Sequence, residues 1–369
     1  MSAEVAWVHT TGQPRTDSLL SDLAWKQGAG TTTITYSFAE SAGAYAQGYG
    51  GGEPAAGFAA FGEAQKAAAR LALERWAAVA DLRFVEVDES GGTGGTIRFA
   101  RTAVSPTAHA YLPDAAPEGG DIWLGPYFGA DAGYAPGTYR FATLLHEIGH
   151  ALGLKHPHDR DGSGVVLGTR LDWLGTSVMS YRSFPGDGLV GGYRNELYPS
   201  GPMLHDVRAI QHLYGANTAT ASGDTVYAWA PGERIFATIY DAGGTDTLDW
   251  SNQTSAAVID LAPGAWSRLG PAYGWAGGRL ATTLAIAEGT TIENADGGSG
   301  ADTLLGNAVG NSLLGWSGND RLDGRAGDEQ LPLGIDGQLD GLCRVARLRA
   351  LGARQVQAQR GNPVAEQFA

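Results

Sequence analysis

The sequence predicts a two-part architecture, in which an α+β unit is followed by an all-β parallel β-roll. The first half interleaves β-branched and aromatic runs with segments of helical periodicity. Beyond residue 216 short strand-like pieces alternate with Gly/Asp turns, and from Gly297 a nine-residue period begins. We therefore divide the chain into a leader or propeptide-like segment (1–22), an α+β domain (23–215), a β-roll (216–328) and an atypical C-terminal tail (329–369).

Each element of the α+β unit has its own signal. Runs of β-branched and aromatic residues predict strands at 31–38, 84–87, 96–99 and 121–125. Apolar residues at helical spacing predict helices at 61–79 and 202–214, the second with Pro202 in its first turn and Gly215 at its end. We interpret His205 and His212 on this second helix as packed or solvated residues rather than as metal ligands.

The β-roll prediction rests on the repeats 297–305, 306–314, 315–323 and 324–332. Their sixth position holds Asp302, Asn311 and Asp320 in the first three units, and glycines permit the tight turns. Carboxylates and turn carbonyls are suitable calcium ligands, and Asn311 should bind more weakly because it carries no charge. The alternative is a flexible Gly-rich linker, but linkers do not keep a nine-residue register.

Composition limits the classes of partner. A formal net charge of −14 argues against nucleic acids and anionic membranes and fits a protein that binds calcium. The single cysteine, Cys343, excludes an intrachain disulfide. No apolar run has the length of a transmembrane helix, and the N-terminus does not resemble a signal peptide. We therefore expect a cytoplasmic protein or one that is exported without an N-terminal signal.

The most specific motif is HEIGHALGLKH, residues 146–156. On a helix, His146 and His150 project from one face, and Gly153 can end the helix in a left-handed turn that brings His156 back toward them. Three imidazoles form a catalytic zinc site with one open position, and Glu147 can take a proton from a water there. The alternative is a helix whose histidines merely cap or pack.

A second motif, SVMSY at 177–181, follows about twenty residues downstream. It resembles the methionine turn of the metzincin metalloproteases. Together with Pro157 and the nonapeptides, it makes residues 20–328 similar to the serralysins, a group of bacterial secreted metalloproteases. Segments that carry the resemblance include GDIWLG (120–125), DVRAIQHLYGAN (206–217) and TIENADGGSGADTL (291–304).

The resemblance implies a metzincin domain of mixed twisted sheet plus helices, one catalytic zinc ion and several structural calcium ions. His146, His150 and His156 match the zinc ligands, and Glu147 matches the general base. Tyr181 matches a tyrosine that approaches the metal and then stabilises the tetrahedral intermediate, although a structural tyrosine is the alternative. Met179 matches the apolar floor beneath the histidines. The calcium ligands implied by the resemblance are Asp241, Gly243, Gly244, Asp246, Thr291, Glu293, Gly297, Gly298, Gly300, Asp302 and Asp320.

The expected function is hydrolysis of protein substrates by a zinc-dependent endopeptidase. We expect 121–125 to form the edge strand of the cleft, to which an extended peptide adds as another strand. Two other functions stay open: a non-catalytic calcium-binding module or adhesin with a vestigial protease fold, and a zinc esterase or amidase on another fold.

Partners and location follow from the same resemblance. We expect a secreted monomer that binds peptide or protein substrates, does not insert into membranes and is exported by a type I ABC system. Serralysins usually carry more nonapeptides and a C-terminal export signal, which the last residues, VAEQFA, match poorly. The tail therefore departs from the serralysin pattern at the position of the export signal.

Overall fold

The computed structural model describes residues 4–26, 30–89, 94–129, 133–189, 195–275, 278–327 and 344–345. The tail predicted at 329–369 lies outside these residues except for Arg344 and Val345, and Cys343 lies outside them as well. No helix within the described ranges is long and apolar enough to span a bilayer.

Four α-helices are present in the described residues: α1 (Pro14–Asp17), α2 (Glu63–Val79), α3 (Tyr139–Ala151) and α4 (Leu204–Tyr214). The strands of the first unit are β1 (Glu4–Trp7), β2 (Leu23–Lys26), β3 (Thr32–Phe38), β4 (Leu82–Glu86), β5 (Ile97–Arg101), β6 (Ala108–Ala110) and β7 (Ile122–Leu124). The strand and helix predictions agree with these bounds within a few residues.

A five-stranded mixed sheet, ordered β4-β3-β5-β7-β6, forms the centre of the first unit. All pairs are parallel except β6 with β7. The helices α2 and α3 pack together on one face of this sheet, where Trp76 of α2 donates its indole N–H to the Leu145 carbonyl of α3 at 3.1 Å. The expected α+β class with a mixed sheet is confirmed.

The prediction that 121–125 forms the edge strand is wrong. This segment is β7, which pairs with β5 on one side and with β6 on the other. Ala108–Ala110 is therefore the strand at this edge of the sheet. The sequence of β6 is Ala-His-Ala, which is too short and too poor in β-branched residues to give a strand signal.

The segment 1–22, predicted as a leader or propeptide-like piece, is not loose in its described part. β1 pairs antiparallel with β2, and α1 packs against α4. Leu19 and Leu20 are fully buried in the main core, and Leu20 forms a β-bridge with Leu154. Residues 4–22 are therefore part of the first unit.

The second unit is built from short strands. They are β8 (Val226–Ala228), β9 (Ala237–Ile239), β10 (Thr247–Asp249), β11 (Val258–Asp260), β12 (Trp266–Ser267), β13 (Tyr273–Trp275), β14 (Gly278–Leu280), β15 (Leu284–Ile286), β16 (Asn294–Asp296), β17 (Thr303–Leu305), β18 (Ser312–Leu314), β19 (Arg321–Asp323) and β20 (Arg344–Val345).

Two parallel sheets, ordered β18-β16-β10-β8 and β11-β17-β19-β20, enclose the interior of this unit. In register, Leu248, Ala295 and Leu313 point inward from one sheet, and Ile259, Leu304 and Leu322 do so from the other. This arrangement is the expected parallel roll, and in the repeats residues eighteen apart stack on one another, as Leu313 does on Ala295 and Leu322 on Leu304.

Candidate active site

The helix α3 carries the first two histidines of the motif and is fixed at both ends. At its N-terminus the Thr138 hydroxyl accepts a hydrogen bond from the Phe141 N–H. At its C-terminus the indole of Trp25 donates to the Ala151 carbonyl at 2.8 Å, and the Tyr214 hydroxyl donates to the Leu152 carbonyl at 2.7 Å. These bonds satisfy carbonyls that the helix itself leaves free.

Gly153 turns the chain back, as predicted. Its φ is +101°, and a Cβ at this position would lie 2.0 Å from the Leu23 carbonyl oxygen, so only glycine fits. The turn returns His156 to the helix face. The Nε2 atoms of His146, His150 and His156 then lie 3.0–3.1 Å from one another.

The second nitrogen of each histidine sets its tautomer. Nδ1 of His146 donates to the Val178 carbonyl, and Nδ1 of His150 donates to the Leu154 carbonyl, both at 2.8 Å. Nδ1 of His156 donates to Oδ2 of Asp159 at 2.6 Å. Because each proton is on Nδ1, three Nε2 lone pairs converge and cannot hydrogen-bond to one another.

This donor set fits a zinc ion. Three nitrogens this close together can all lie about 2.0–2.1 Å from one ion. Burial lowers the pKa of His146 well below its usual range, that of His150 to about 4 and that of His156 to about 2, with the neighbouring histidines adding to the shift for His146 and His156. The imidazoles are therefore neutral at physiological pH, which is the form that binds metals.

Glu147 lies on α3 next to the first histidine and is buried. Its Oε2 is a buried atom without a hydrogen-bond partner among the described residues. Burial raises the pKa of this carboxyl to about 8. A carboxyl with a pKa near neutrality can accept and release protons at working pH, which is what a general base requires.

Tyr181 and Met179 flank the histidines from the methionine turn. The Tyr181 ring lies 4.3 Å from the His156 ring and 5.5 Å from the His146 ring, between ring centroids. Burial, with a contribution from the charge of Glu147, raises the Tyr181 pKa to about 12, so the phenol keeps its proton. Met179 is fully buried, and a Cβ on Gly149 would lie 2.4 Å from its sulfur, so the thioether packs directly on α3.

Sequence reasoning missed two carboxylates that order this site. Asp159 orients His156, and its position three residues after a candidate ligand was a usable signal. Asp172 is fully buried and accepts from the Ser180 hydroxyl at 2.5 Å and from Arg182 Nε at 2.9 Å, on either side of Tyr181. No sequence motif marked Asp172, because only the folded structure shows that it contacts Ser180 and Arg182.

His205 and His212 take no part in the site. His205 is buried on α4, and His212 is exposed on the same helix and contacts the His9 carbonyl. Among the described residues, neither belongs to a group of side chains that could hold a metal. This agrees with their interpretation as packed or solvated residues.

The residues predicted as calcium ligands fall into two groups in the roll. Asp241, Asp246 and Glu293 lie together: the Glu293 carboxylate accepts from the Asp246 N–H at 2.8 Å, and Asp246 Oδ2 is buried without a partner among the described residues. Burial and these neighbouring carboxylates raise the pKa of Asp246 to about 6. Gly243 and Gly244 have positive φ in the adjoining turn, whereas Thr291 is exposed.

The second group lies in the repeats. Asp302 accepts from the N–H groups of Ala257 and Gly298 at 2.7 and 2.6 Å, and Asp320 accepts from the Asp302 N–H at 2.9 Å. A Cβ on Gly297 would lie 2.6 Å from Asp302 Oδ2, so the turn leaves room there only for glycine. Gly300 packs equally closely, against the backbone of Ala256.

Comparison with known proteins gives the family of both units. The matrixin family profile matches residues 59–163, and the profile described as peptidase M10 serralysin C terminal matches residues 204–331. Metallopeptidase AprA of Pseudomonas marginalis is 35% identical over 336 residues, which are 83% of this chain and 67% of that protein. Metalloprotease AprA of Pseudomonas entomophila is 36% identical over 83% of this chain and 65% of its own length.

Serralysin A of Dickeya chrysanthemi is 36% identical over 269 residues, which are 68% of this chain and 54% of that protein. The chain thus spans about half to two thirds of the length of these relatives.

Proposed function

Because the chain belongs to the serralysin-type metalloproteases of the metzincin clan, we propose that it is a zinc-dependent endopeptidase acting on proteins. The observation that carries the proposal is the convergence of three unprotonated Nε2 atoms, of His146, His150 and His156, beside the buried carboxylate of Glu147. One zinc ion can accept all three lone pairs, which lie 3.0–3.1 Å apart.

When bound, zinc would polarise the scissile carbonyl and acidify a water molecule. Glu147 then accepts the proton of that water and passes it to the leaving amine. The Tyr181 phenol, which stays protonated, donates a hydrogen bond to the oxygen that becomes negative. Asp159 keeps the Nδ1 proton on His156 and so keeps Nε2 free for the metal.

We propose that the substrate binds as an extra strand on β6. Among the described strands of its sheet, β6 has a neighbour on one side only, and it packs against α3. An edge strand has unpaired N–H and C=O groups that an extended peptide can engage. The sequence predicts that the substrate binds along 121–125. Because β6 lies at this edge of the sheet instead, we assign substrate binding to Ala108–Ala110.

We propose that several calcium ions stabilise the roll. The support is the Asp241, Asp246 and Glu293 group and the stacked turns of Asp302 and Asp320, where carboxylates lie together without cationic partners among the described residues. Secretion as a monomer by a type I ABC system stays part of the proposal. It is supported by the family, and the acidic composition fits an extracellular protein that is stabilised by calcium in place of an intrachain disulfide.

The test uses the purified full-length chain, its zinc and calcium content, and casein hydrolysis with and without a zinc chelator. We expect one zinc per chain and chelator-sensitive hydrolysis. Glu147→Gln should lower kcat by about 10²–10⁴-fold and keep the zinc. Hydrolysis that survives both the chelator and Glu147→Gln would refute the zinc mechanism. A chain that binds calcium but never hydrolyses casein would favour the vestigial module.

A further inference from the structure

Lys155 is a buried cation that the proposed reaction does not use. It lies directly before the zinc ligand His156, and only 3% of its surface is exposed. Among the described residues, no carboxylate forms an ion pair with its ammonium group within 4.0 Å. A buried charge in this position must be stabilised by other polar groups.

Four backbone carbonyls surround the ammonium group. Nζ donates to the carbonyl oxygens of Ser18 at 2.8 Å, His156 at 3.3 Å, Asp159 at 2.7 Å and Val165 at 2.9 Å. An ammonium group has three N–H donors, and here four carbonyl oxygens surround it. The oxygens enclose the group as they would a bound metal ion. Without the cation these carbonyl dipoles would repel one another.

Three of the four carbonyls belong to the ligand loop, defined here as residues 155–165, and the fourth belongs to the N-terminal segment. The two pieces also meet through the backbone: Lys155 N–H donates to the Leu19 carbonyl at 2.8 Å, and the Ser163 hydroxyl donates to the Asp17 carbonyl at 2.5 Å. A Cβ on Gly162 would lie 2.7 Å from the Leu20 carbonyl oxygen. The ligand loop is thus shaped against residues 17–20.

The contact with Asp159 links this cation to the metal site. The Asp159 backbone is fixed by Lys155 Nζ, while its carboxylate accepts the Nδ1 proton of His156. We infer that Lys155 is a positioning residue, whose ammonium group holds the ligand loop on the N-terminal segment and thereby orients Asp159 and His156 for zinc. The inference rests on the proposed zinc site.

The first test compares Lys155→Met with wild type. Methionine keeps an unbranched apolar stem and removes the charge. We expect zinc to leave the variant about 10- to 100-fold faster when a fluorescent chelator is added, as for other residues that orient metal ligands. Lys26→Met, at an exposed position of β2, is the matched control and should lose zinc at the wild-type rate. Wild-type zinc retention in Lys155→Met would overturn the inference.

The second test asks whether the ammonium group itself is what matters. Lys155→Ala leaves a space of the size of n-propylammonium. Added at millimolar concentration, n-propylammonium should fill this space and slow zinc loss again. Tetramethylammonium at equal ionic strength is too large to enter and should have no effect. If Lys155→Ala does not fold alone, the same amines are supplied during refolding, and recovery of zinc binding is measured. Failure of n-propylammonium in both settings would contradict the inference.

These readouts need no substrate, so the two proposals can fail separately. A wild-type chain that binds no zinc overturns the proposed function. A wild-type chain that binds zinc, together with a Lys155→Met variant that holds it equally well, overturns only the role of the lysine.

Discussion

Asp172 accepts hydrogen bonds from the residues on both sides of Tyr181. Its two carboxylate oxygens accept from Ser180 and Arg182, and the Leu174 N–H holds the Arg182 carbonyl at 2.8 Å. Oδ2 also lies 3.4 Å from Nδ1 of His158, whose ring stacks on His156 at 5.2 Å between centroids. The backbone at Tyr181 is therefore fixed, and its phenol can move only by side-chain rotation.

A double-mutant cycle tests whether Asp172 acts through this tyrosine. We expect Tyr181→Phe to lower kcat by about 10²–10³-fold because one oxyanion donor is lost. Asp172→Asn should lower kcat by roughly ten- to hundred-fold in the wild-type background, since the donor is misplaced, and leave KM nearly unchanged. In the Tyr181→Phe background, Asp172→Asn should lower kcat hardly at all. Additive losses in the double variant would show that Asp172 acts elsewhere.

His205 gives the molecule a pH dependence that is separate from the metal. Burial, with Arg15 and Arg208 nearby, lowers its pKa to about 4, while the charge of Asp172 opposes the shift. Its pKa in the unfolded chain is about 6.5. Between these values the unfolded state binds one more proton than the native state, so the free energy of unfolding falls as the pH falls through this window. The full shift corresponds to about 3 kcal/mol.

We expect His205→Leu to flatten the dependence of unfolding free energy on pH between about 6.5 and 4, by the slope of one proton. Urea unfolding at several pH values measures this, and subtraction from wild type removes the contribution of the zinc histidines. His212→Leu, an exposed position on the same helix, is the control and should leave the curve unchanged. Parallel curves for wild type and His205→Leu would contradict the prediction.

At the level of elements, predictability followed the residue types in the pattern. The helices α2 and α4 were predicted from periodic apolar residues, and the strands β3, β4, β5 and β7 from their β-branched and aromatic residues. The strand β6 was missed because three residues with alanine at both ends carry no such pattern. The histidines and Glu147 belong to one motif and could be predicted. Asp172 and Lys155 belong to no motif, because their contacts depend on how the loops around them are folded.

The turns of the roll differ in the hydrogen bonds made by the side chain at the sixth position of each nonapeptide repeat. Asp302 and Asp320 stack on one side, where the Asp320 carboxylate accepts from the Asp302 N–H and where we propose that calcium binds. In the intervening turn Asn311 donates to the Glu293 carbonyl at 2.9 Å and to Asn307 Oδ1 at 3.0 Å, while its Oδ1 accepts from the Asn307 N–H. The Asn311 amide thus completes its hydrogen bonds without a metal ion.

Asn311→Asp should therefore make the roll more dependent on calcium. In the presence of EGTA the new carboxylate faces a carbonyl without a donor, which should lower the unfolding free energy by about 1–3 kcal/mol. Millimolar calcium should restore most of this loss, as followed by thermal unfolding in circular dichroism. Asn319→Asp changes the charge equally at an exposed position and should have little effect. A loss that is equal with and without calcium would show that the carboxylate binds none.

Across the whole molecule, the two units share a hydrophobic core. Phe236, Tyr273 and Ala287 of the roll are buried in the same cluster as the core of the first unit. Trp173 near the methionine turn lies 5.5 Å from Trp266 of the roll, between ring centroids, and Arg208 of α4 forms an ion pair with Glu288. The boundary predicted at 215–216 therefore separates two sequence patterns but not two independent cores.

Calcium removal should consequently affect the zinc site, although the two proposed metal sites lie far apart in sequence. We expect EGTA, used at a concentration that leaves zinc bound, to lower the melting temperature of the whole chain in one transition and to speed zinc loss. The reason is that unfolding the roll removes Phe236 and Tyr273 from the core that supports Trp173. Phe236→Ala should weaken this coupling, so that the roll and the first unit melt separately. Two independent transitions in the wild-type chain, with zinc and hydrolysis retained after the first, would show that the shared core does not couple the units.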